Sequence, residues 1–280
     1  LDKMEGVFLR RGEYTFPLDN DKLWDFKPLA KVGDKVAAGG WLGEVDENFQ
    51  PHKIMVPFTF KGEYTVKSLK EAGQYTIGEV IAVLTDETGK DVEVTMIQRW
   101  PVKRAITCYK EKPRPYKLLE TGVRTIDTVN PIVEGGTGFI PGPFGTGKTV
   151  LQHAISKQAE ADIVIIAACG ERANEVVEIF TEFPELIDPH TGRKLMERTI
   201  IIANTSNMPV AAREASVYTA MTIAEYYRSM GLKVLLMADS TSRWAQALRE
   251  MSNRLEELPG PDAFPMDLSA IVANFYARAG

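Results

Sequence analysis

The sequence contains few of the residues that build disulfide frameworks or metal centres. Only two cysteines, Cys108 and Cys169, and three histidines occur in 280 residues. Two distant cysteines are typical of a reducing compartment and argue against a disulfide-dense scaffold. The histidines at positions 52, 153 and 190 are scattered along the chain, so they predict no metal cluster.

Long apolar runs and a strong excess of either charge are also missing. No run approaches the roughly 18 apolar residues that a membrane-spanning helix requires. The net charge of −5 gives no general attraction to nucleic acid or anionic lipid. The acidic start, Leu1–Glu5, is unlike a signal peptide. Because the chain begins without Met and ends directly after an apolar run, we expect it to be part of a longer protein.

The first part of the chain has the pattern of a small β-rich domain, predicted for residues 11–100. Short apolar runs alternate with glycine-containing turns, and few stretches have helical periodicity. The predicted strand regions are Trp41–Val45, Ile54–Phe60, Tyr64–Val66, Ile77–Leu84 and Val92–Ile97. A basic stretch punctuated by prolines, residues 101–117, is predicted to be the linker to the next domain.

Gly-Glu-Val triplets at residues 43–45 and 78–80 are typical of flattened barrels of the biotinyl or lipoyl type. Some such barrels are carriers, which need a modifiable lysine at the tip of a tight hairpin. The corresponding turn, Asp46–His52, has no lysine at its centre, and Lys53 begins the next strand. We therefore favour a structural β-domain. A carrier or binding module joined to a regulatory nucleotide domain is kept as an alternative.

Residues 118–280 alternate between predicted strands and predicted helices. This alternation indicates an α/β domain with a mostly parallel sheet and helices on both faces. The predicted strands are Gly138–Pro141, Ile163–Ala168, Thr199–Ala203 and Lys233–Ala238. The predicted helices are Thr149–Glu160, Ala173–Phe183, Val210–Met230 and Ser242–Leu258.

A phosphate-binding loop is predicted at Gly142–Thr149, which matches G-x-x-x-x-G-K-[ST] between a predicted strand and a predicted helix. Backbone amides and the helix N-terminus of such a loop face the β-phosphate of a nucleotide. Lys148 is expected to reach the β and γ oxygens, and the Thr149 hydroxyl to bind Mg²⁺. The candidate phosphate contacts are Gly142, Pro143, Phe144, Gly145, Thr146, Gly147, Lys148, Thr149 and Val150.

Two further motifs follow predicted buried strands. Asp239 ends the run Val234–Asp239, the arrangement of a Walker B carboxylate that supports Mg²⁺, often through water. Glu171 and Arg172 follow Ile163–Ala168, and ligands of open α/β sheets lie at such strand ends. Glu171 is therefore the candidate to polarise an attacking water, with Arg172 holding it or stabilising charge.

Other charged residues occur near these motifs. Glu175 is predicted to face solvent on its helix. Arg213, Arg243 and Arg249 lie on or near predicted helices that could face a neighbour, although each is predicted to be a solvated surface residue. Together, the three motifs predict a domain that binds and hydrolyses ATP as its Mg²⁺ complex.

The motif segments resemble those of the catalytic A subunits of V-type and archaeal A-type rotary ATPases. The resemblance covers essentially the whole chain, including the β-rich insert. It rests on GPFGTGKT at Gly142–Thr149, on GER at Gly170–Arg172, on ADSTSRWAQALRE at Ala238–Glu250, and on the stretch Phe264–Gly280. The non-catalytic B subunit lacks an intact phosphate loop, so the similarity is to A and not to B.

This resemblance implies a RecA-like core, with residues 1–10 as the end of a preceding barrel or linker. It implies a hexamer of alternating A and B subunits, with an arginine finger supplied by B. Central and peripheral stalks would link ATP hydrolysis or synthesis to H⁺ or Na⁺ movement through a membrane sector. The head would lie on the cytoplasmic face. Mg²⁺ is the implied cofactor and ATP or ADP the substrate, with no nucleic-acid partner.

Two departures from the family limit what the resemblance implies. From the resemblance, we expect the family's N-terminal barrel and C-terminal helical domain to lie outside the given residues, and the adenine pocket to come largely from the latter. Thr146 stands where eukaryotic members usually have cysteine, which favours an archaeal or bacterial source. A RecA-like hexameric ATPase acting on nucleic acid is kept as an alternative, although it predicts a basic surface and no β-rich insert.

Overall fold

The computed structural model of the protein describes residues 18–47, 50–143 and 145–279. The predicted N-terminal segment 1–10 and the candidate phosphate contact Phe144 therefore lie outside the described residues. The chain divides into two compact units, Leu1–Arg99 and Trp100–Gly280. Among the described residues, no helix has both the length and the apolar character needed to cross a bilayer.

The first unit is a sandwich of two antiparallel four-stranded sheets, ordered β4-β3-β1-β6 and β2-β5-β7-β8. Its described strands are β1 (Trp24–Pro28), β2 (Lys35–Val36), β3 (Trp41–Glu47), β4 (Gln50–Met55), β5 (Tyr64–Leu69), β6 (Gly73–Tyr75), β7 (Ala82–Asp86) and β8 (Asp91–Val94). Inward-facing side chains of both sheets share one apolar core, which includes Phe26, Leu42, Val66 and Leu84. The predicted β-rich character of this region is confirmed.

Two details of this sandwich follow from single side chains. Gly43 is required in β3 because a Cβ there would lie 2.2 Å from the Phe26 ring. Lys53 lies in β4 and forms an ion pair with Glu44 on β3. The lysine nearest to the predicted hairpin tip is therefore held across the strands, which does not favour the carrier interpretation.

The second unit alternates strands with helices as predicted. Its elements are β9 (Leu118–Leu119), α1 (Arg124–Val129), β10 (Ile132–Val133), α2 (Lys148–Gln158), β11 (Ile163–Glu171), α3 (Ala173–Glu182), β12 (Thr199–Thr205), α4 (Val210–Ser229), β13 (Val234–Asp239), α5 (Thr241–Arg254) and α6 (Leu268–Tyr276). The fully buried β11 lies between β12 and β13, and both pairings are parallel. The short strands β9 and β10 pair separately.

Alternate side chains of β11 pack into two apolar clusters, one on each face of the sheet, as expected for a strand covered on both faces. On one face, Ile165 and Ala167 belong to a core built with Val217 of α4, Trp244 of α5 and Phe275 of α6. On the other, a second cluster contains Val164, Ile166, Ile179, Phe183 and Leu195. Helices therefore cover both faces of the sheet, which confirms the predicted RecA-like α/β architecture.

In this unit one predicted strand is not formed, and the predicted ends that differ most from the structure are those of β11 and α5. Gly138–Pro141 forms no strand ladder, because Pro141 has no N–H and glycine offers nothing to pack; Ile140 still joins an apolar cluster with Met237. Strand β11 extends to Glu171 instead of ending at Ala168. Helix α5 ends at Arg254 instead of Leu258, since Glu256 adopts a left-handed φ of 56°.

A network of buried hydrogen bonds holds residues 102–106, near the start of the second unit, against α4. The guanidinium of Arg278 donates to both carboxylate oxygens of Glu225, at 2.9 and 2.7 Å. It also donates to the Val102 carbonyl at 2.9 Å, and the Ile106 amide donates to Glu225 at 3.1 Å. Residues 102–106, within the predicted linker, are therefore held by hydrogen bonds to α4 and to Arg278, two residues beyond α6.

Candidate functional site

Side chains of the phosphate-loop segment form hydrogen bonds with backbone carbonyls of the same segment. Lys148 Nζ donates to the Gly142 carbonyl at 2.7 Å, and Thr146 Oγ1 donates to the Pro143 carbonyl at 2.8 Å. Gly147 precedes the helix with a left-handed φ of 82°, which favours glycine. The Lys148 ammonium is therefore held against the backbone at Gly142. Val150, in the first turn of α2, is exposed.

Gly142 is constrained by a close approach. A Cβ at this position would lie 2.6 Å from Thr146 Oγ1. A side chain at residue 142 would displace the Thr146 hydroxyl from its present position. This agrees with the predicted motif, in which glycines let the backbone approach a phosphate.

Thr149 and Asp239 meet at the end of the sheet. Thr149 Oγ1 lies 3.3 Å from Asp239 Oδ2, which joins the first turn of α2 to the last residue of β13. A hydroxyl and a carboxylate are hard oxygen donors of the kind that Mg²⁺ prefers. Mg²⁺ bound with a nucleotide uses one or two such protein ligands together with phosphate and water, so these two residues fit the predicted cation.

This site differs from a dedicated metal cage. Within residues 18–47, 50–143 and 145–279, no three His, Cys, Asp or Glu side chains converge as a metal site.

Glu171 is the last residue of β11, beside the strand that carries Asp239. It is 4% exposed. A register shift between Cys169 and Glu171, with Gly170 at a left-handed φ of 70°, bends the strand at this point. Bulges of this kind re-aim side chains next to active sites. The carboxyl group thus lies at the carboxyl edge of the sheet, where the sequence predicted it.

The pKa of Glu171 is raised, and burial of the carboxyl group is the main cause. Burial, a hydrogen bond with Glu175 and the negative charge of Asp239 raise the pKa of Glu171 to about 8, against the opposing effect of Arg243. Burial and the two acids Glu171 and Asp239 raise the pKa of the Cys169 thiol to about 12. Cys169 is therefore an unreactive thiol at neutral pH.

Two residues that the sequence assigned to the surface belong to the surroundings of Glu171. Arg243 Nη2 lies 3.3 Å from Glu171 Oε2, and Arg243 Nη1 donates to the Gly170 carbonyl at 2.9 Å. Glu175 is partly buried and lies 4.0 Å from the Arg243 guanidinium. The predicted solvent-facing positions of Glu175 and Arg243 are therefore wrong. Arg172, the predicted neighbour of Glu171, is exposed at the residue preceding α3.

The other two arginines have structural partners. Arg213 forms a two-pronged ion pair with Glu250 at 3.2 and 2.6 Å and donates to the Met208 carbonyl. Its side chain is 14% exposed, so the predicted solvated position is wrong here too. Arg249 lies over the ring of Phe264, 4.9 Å from its centre.

Comparison with known families matches both units. Residues 122–280 match the nucleotide-binding domain of the ATP synthase alpha/beta family. Residues 15–103 match the ATP synthase alpha/beta subunit barrel-sandwich domain. The phosphate loop and sheet define a nucleotide-binding protein of the P-loop class. The matched domains then assign the chain to a family: it belongs to the ATP synthase alpha/beta family.

Individual relatives agree with this assignment. The chain is 61% identical over 280 residues to a V-type ATP synthase alpha chain of Treponema denticola. It is 60% identical over 275 residues to the protein of that name in Borrelia garinii subsp. bavariensis. These alignments cover 100% and 98% of this chain but 48% of each relative. The chain therefore spans about half the length of the curated relatives it matches.

A solved structure is similar in fold. It is described as a prototypical ATPase from the type III secretion system of pathogenic bacteria. The two chains are 29% identical with a TM-score of 0.51, over 69% of this chain and 54% of the other. The match supports the architecture described above.

Proposed function

We propose that this chain forms the nucleotide-binding part of the catalytic subunit of a V-type or archaeal A-type rotary ATPase. The observation that carries the proposal is the meeting of Thr149 and Asp239 at 3.3 Å beside the Lys148 loop, with the buried Glu171 on the neighbouring strand end. The names of these two relatives support the same assignment.

The proposed chemistry divides among these residues. Lys148 and the loop amides bind the β- and γ-phosphates. Thr149 and Asp239 would hold Mg²⁺, which when bound would neutralise phosphate charge. Glu171 orients the attacking water and accepts its proton. A pKa of about 8 suits this role, because a general base works best with a pKa near the operating pH. Arg172 contributes positive charge next to Glu171.

The proposed assembly follows the family resemblance. Copies of the full-length subunit alternate with non-catalytic B subunits, which supply an arginine finger to each interface. Central and peripheral stalks connect this head, on the cytoplasmic face, to a membrane sector that moves H⁺ or Na⁺. The same site would run in either direction, hydrolysis or synthesis of ATP. Nucleic acid is not a proposed partner.

The test is Glu171→Gln in the full-length subunit, assembled with its B partner. Turnover is expected to fall by at least about 100-fold, since general-base catalysis contributes on the order of 10²–10⁴. The dissociation constant of Mg-ATP, measured by calorimetry, is expected to stay within about twofold of the wild-type value because the phosphate contacts remain. Glu178→Gln, at an exposed position of α3, is the matched control. Equal loss of binding and turnover in Glu171→Gln contradicts the role.

A further inference from the structure

We propose that Arg198 is a positioning residue for the phosphate-loop helix α2, because it caps this helix at the end opposite to the loop. The inference rests on the proposed function, since it concerns the helix whose N-terminus is proposed to bind the β- and γ-phosphates. Its basis is the set of contacts that residues 187–198, the clamp segment, make with the last carbonyls of α2.

The C-terminal end of α2 depends on side chains from outside the helix. An α-helix ends with four carbonyls that have no partner within it, and in α2 these belong to residues 155–158. The Ile155 carbonyl accepts from the Ala159 amide at 2.8 Å. The carbonyls of residues 156–158 face the clamp segment instead.

Two side chains of the clamp segment contact these carbonyls. Arg198 Nη2 lies 3.5 Å from the carbonyls of residues 156 and 157, and Nη1 donates to the Ala161 carbonyl just beyond the helix. His190 Nε2 lies 3.0 Å from the Gln158 carbonyl, which can only accept. The two contacts at 3.5 Å are long, so Arg198 acts there chiefly as a positive charge at the negative end of the helix dipole.

Asp188 holds both of the capping residues. It is 2% exposed, and its Oδ2 lies 3.1 Å from Arg198 Nε. The same carboxylate accepts from the His190 amide at 3.0 Å and from the Thr191 hydroxyl at 2.9 Å. Because Arg198 is itself buried, its charge is screened little by solvent. The cap is therefore a fixed arrangement and not a chance contact of mobile surface side chains.

Such a cap matters to a short helix that binds a ligand at its other end. Helix α2 has 11 residues, so it is about 16 Å long. Helices below about 12–15 residues are marginal by themselves and gain order cooperatively. A capped C-terminus keeps α2 complete before nucleotide arrives, with Lys148 and the loop amides already in place. Ordering done in advance lowers the cost of binding.

Arg198 has one obvious competing role, general stabilisation of the domain. The two roles differ in what the loss of Arg198 changes. Loss of a general stabilising contact lowers the free energy of unfolding but leaves the affinity of the folded protein for nucleotide unchanged. Loss of a residue that positions α2 raises the dissociation constant of Mg-ATP, while kcat at saturating nucleotide stays near normal because bound nucleotide orders the helix.

The first experiment compares Arg198→Met and Arg198→Lys in the full-length, assembled subunit. In Arg198→Met, the dissociation constant of Mg-ATP should rise about 3- to 10-fold, the order expected for a charge at a helix terminus. The value of kcat should stay within about twofold. Arg198→Lys should give a smaller rise because it keeps the charge. Lys194→Met, exposed in the same clamp segment, also removes one positive charge and is the matched control.

The second experiment measures hydrogen exchange at the amides of residues 155–158. In the nucleotide-free Arg198→Met variant, exchange should be faster in this last turn of α2 than in wild type. Saturating Mg-ADP should return it towards the wild-type rate, because nucleotide binding and helix order affect each other reciprocally. If Arg198→Met folds poorly, its combination with Asp188→Asn leaves no uncompensated carboxylate and should show the same rise in dissociation constant.

Wild-type Mg-ATP affinity in both Arg198→Met and the double variant overturns the proposal. So does faster exchange spread evenly over the domain, or a fall in kcat with unchanged affinity. If Lys148→Ala also leaves Mg-ATP binding unchanged, it is the proposed function that fails.

Discussion

The Thr149 hydroxyl and the Asp239 carboxylate lie 3.3 Å apart although 90 positions separate them in the chain. One residue belongs to the first turn of α2 and the other ends β13. They meet because the N-terminus of α2 lies beside the carboxyl end of β13, the edge where ligands of open α/β sheets bind. In the proposed function, these two oxygen atoms are the protein ligands of the Mg²⁺ that binds with the nucleotide.

The first prediction concerns this pair. Thr149→Val removes the hydroxyl and keeps the branched shape, whereas Thr149→Ser keeps the hydroxyl. In the assembled subunit, Thr149→Val should reduce the gain in ATP affinity that Mg²⁺ provides by about tenfold or more, since one ligand of a hard cation is lost. Thr149→Ser should retain most of that gain. Titrations with ATP, with and without Mg²⁺, measure it; equal behaviour of the two variants would contradict the assignment.

The second prediction concerns Lys148, whose ammonium donates to the Gly142 carbonyl at 2.7 Å. Lys148→Ala should weaken nucleotide binding itself. Hydrogen bonds to charged groups contribute about 1.5–3 kcal/mol, which corresponds to roughly a 10- to 100-fold loss of affinity. Lys157→Ala, at the other end of α2, is the control. Unchanged affinity in Lys148→Ala would show that the loop does not hold the phosphates.

The sequence predicted the central parallel strands well because they depend on local patterns. The run Ile163–Ala168 is apolar at every position, which is typical of a strand covered on both faces. The exception is Gly138–Pro141, whose apolar residues pack without a strand ladder. In the first unit, β1 was missed because only one of its five side chains is buried, so no alternation stands out.

The surroundings of Glu171 could not be predicted in the same way. Glu175 and Arg243 are charged residues on helices, and such residues usually face solvent. Their burial results from tertiary contacts between α3, α5 and the bent end of β11. Arg243 lies four positions after Asp239. Its place beside Glu171 can be recognised only when the three-dimensional positions of the strand end and of the helix that follows are known.

The third prediction concerns the pH dependence of stability. The pKa of Glu171 is about 8 in the folded chain, above its ordinary value of 4.5. The protonated carboxyl therefore contributes stability that is complete below about pH 4.5 and is lost as the pH rises towards 8. Glu171→Gln cannot lose a proton, so this variant should gain stability relative to wild type across this range. The slope should reach at most about 1.4 kcal/mol per pH unit.

Thermal or urea unfolding of the nucleotide-free subunit between pH 5 and pH 8.5 measures this difference. The exposed Glu178→Gln serves as the control and should follow the wild-type curve. Parallel curves for Glu171→Gln and wild type would contradict the raised pKa.

The last prediction concerns the buried pair Glu225 and Arg278, which are 2% and 7% exposed. Arg278→Met leaves the Glu225 carboxylate buried without its partner. Loss of one member of a buried pair costs about 3–5 kcal/mol. The same change removes a donor to the Val102 carbonyl, so residues 102–106 should become cleavable by trypsin after Lys103 and Arg104.

A companion variant separates the lost charge pairing from general damage to packing. In Arg278→Met with Glu225→Gln, no uncompensated charge remains, and much of the lost stability should return. The amide oxygen that Glu225→Gln introduces can still accept from the Ile106 amide, as the Glu225 carboxylate does at 3.1 Å. Trypsin sensitivity of this segment should therefore be intermediate. Equal destabilisation in the single and double variants would show that Arg278 stabilises the chain by packing and not by pairing with Glu225.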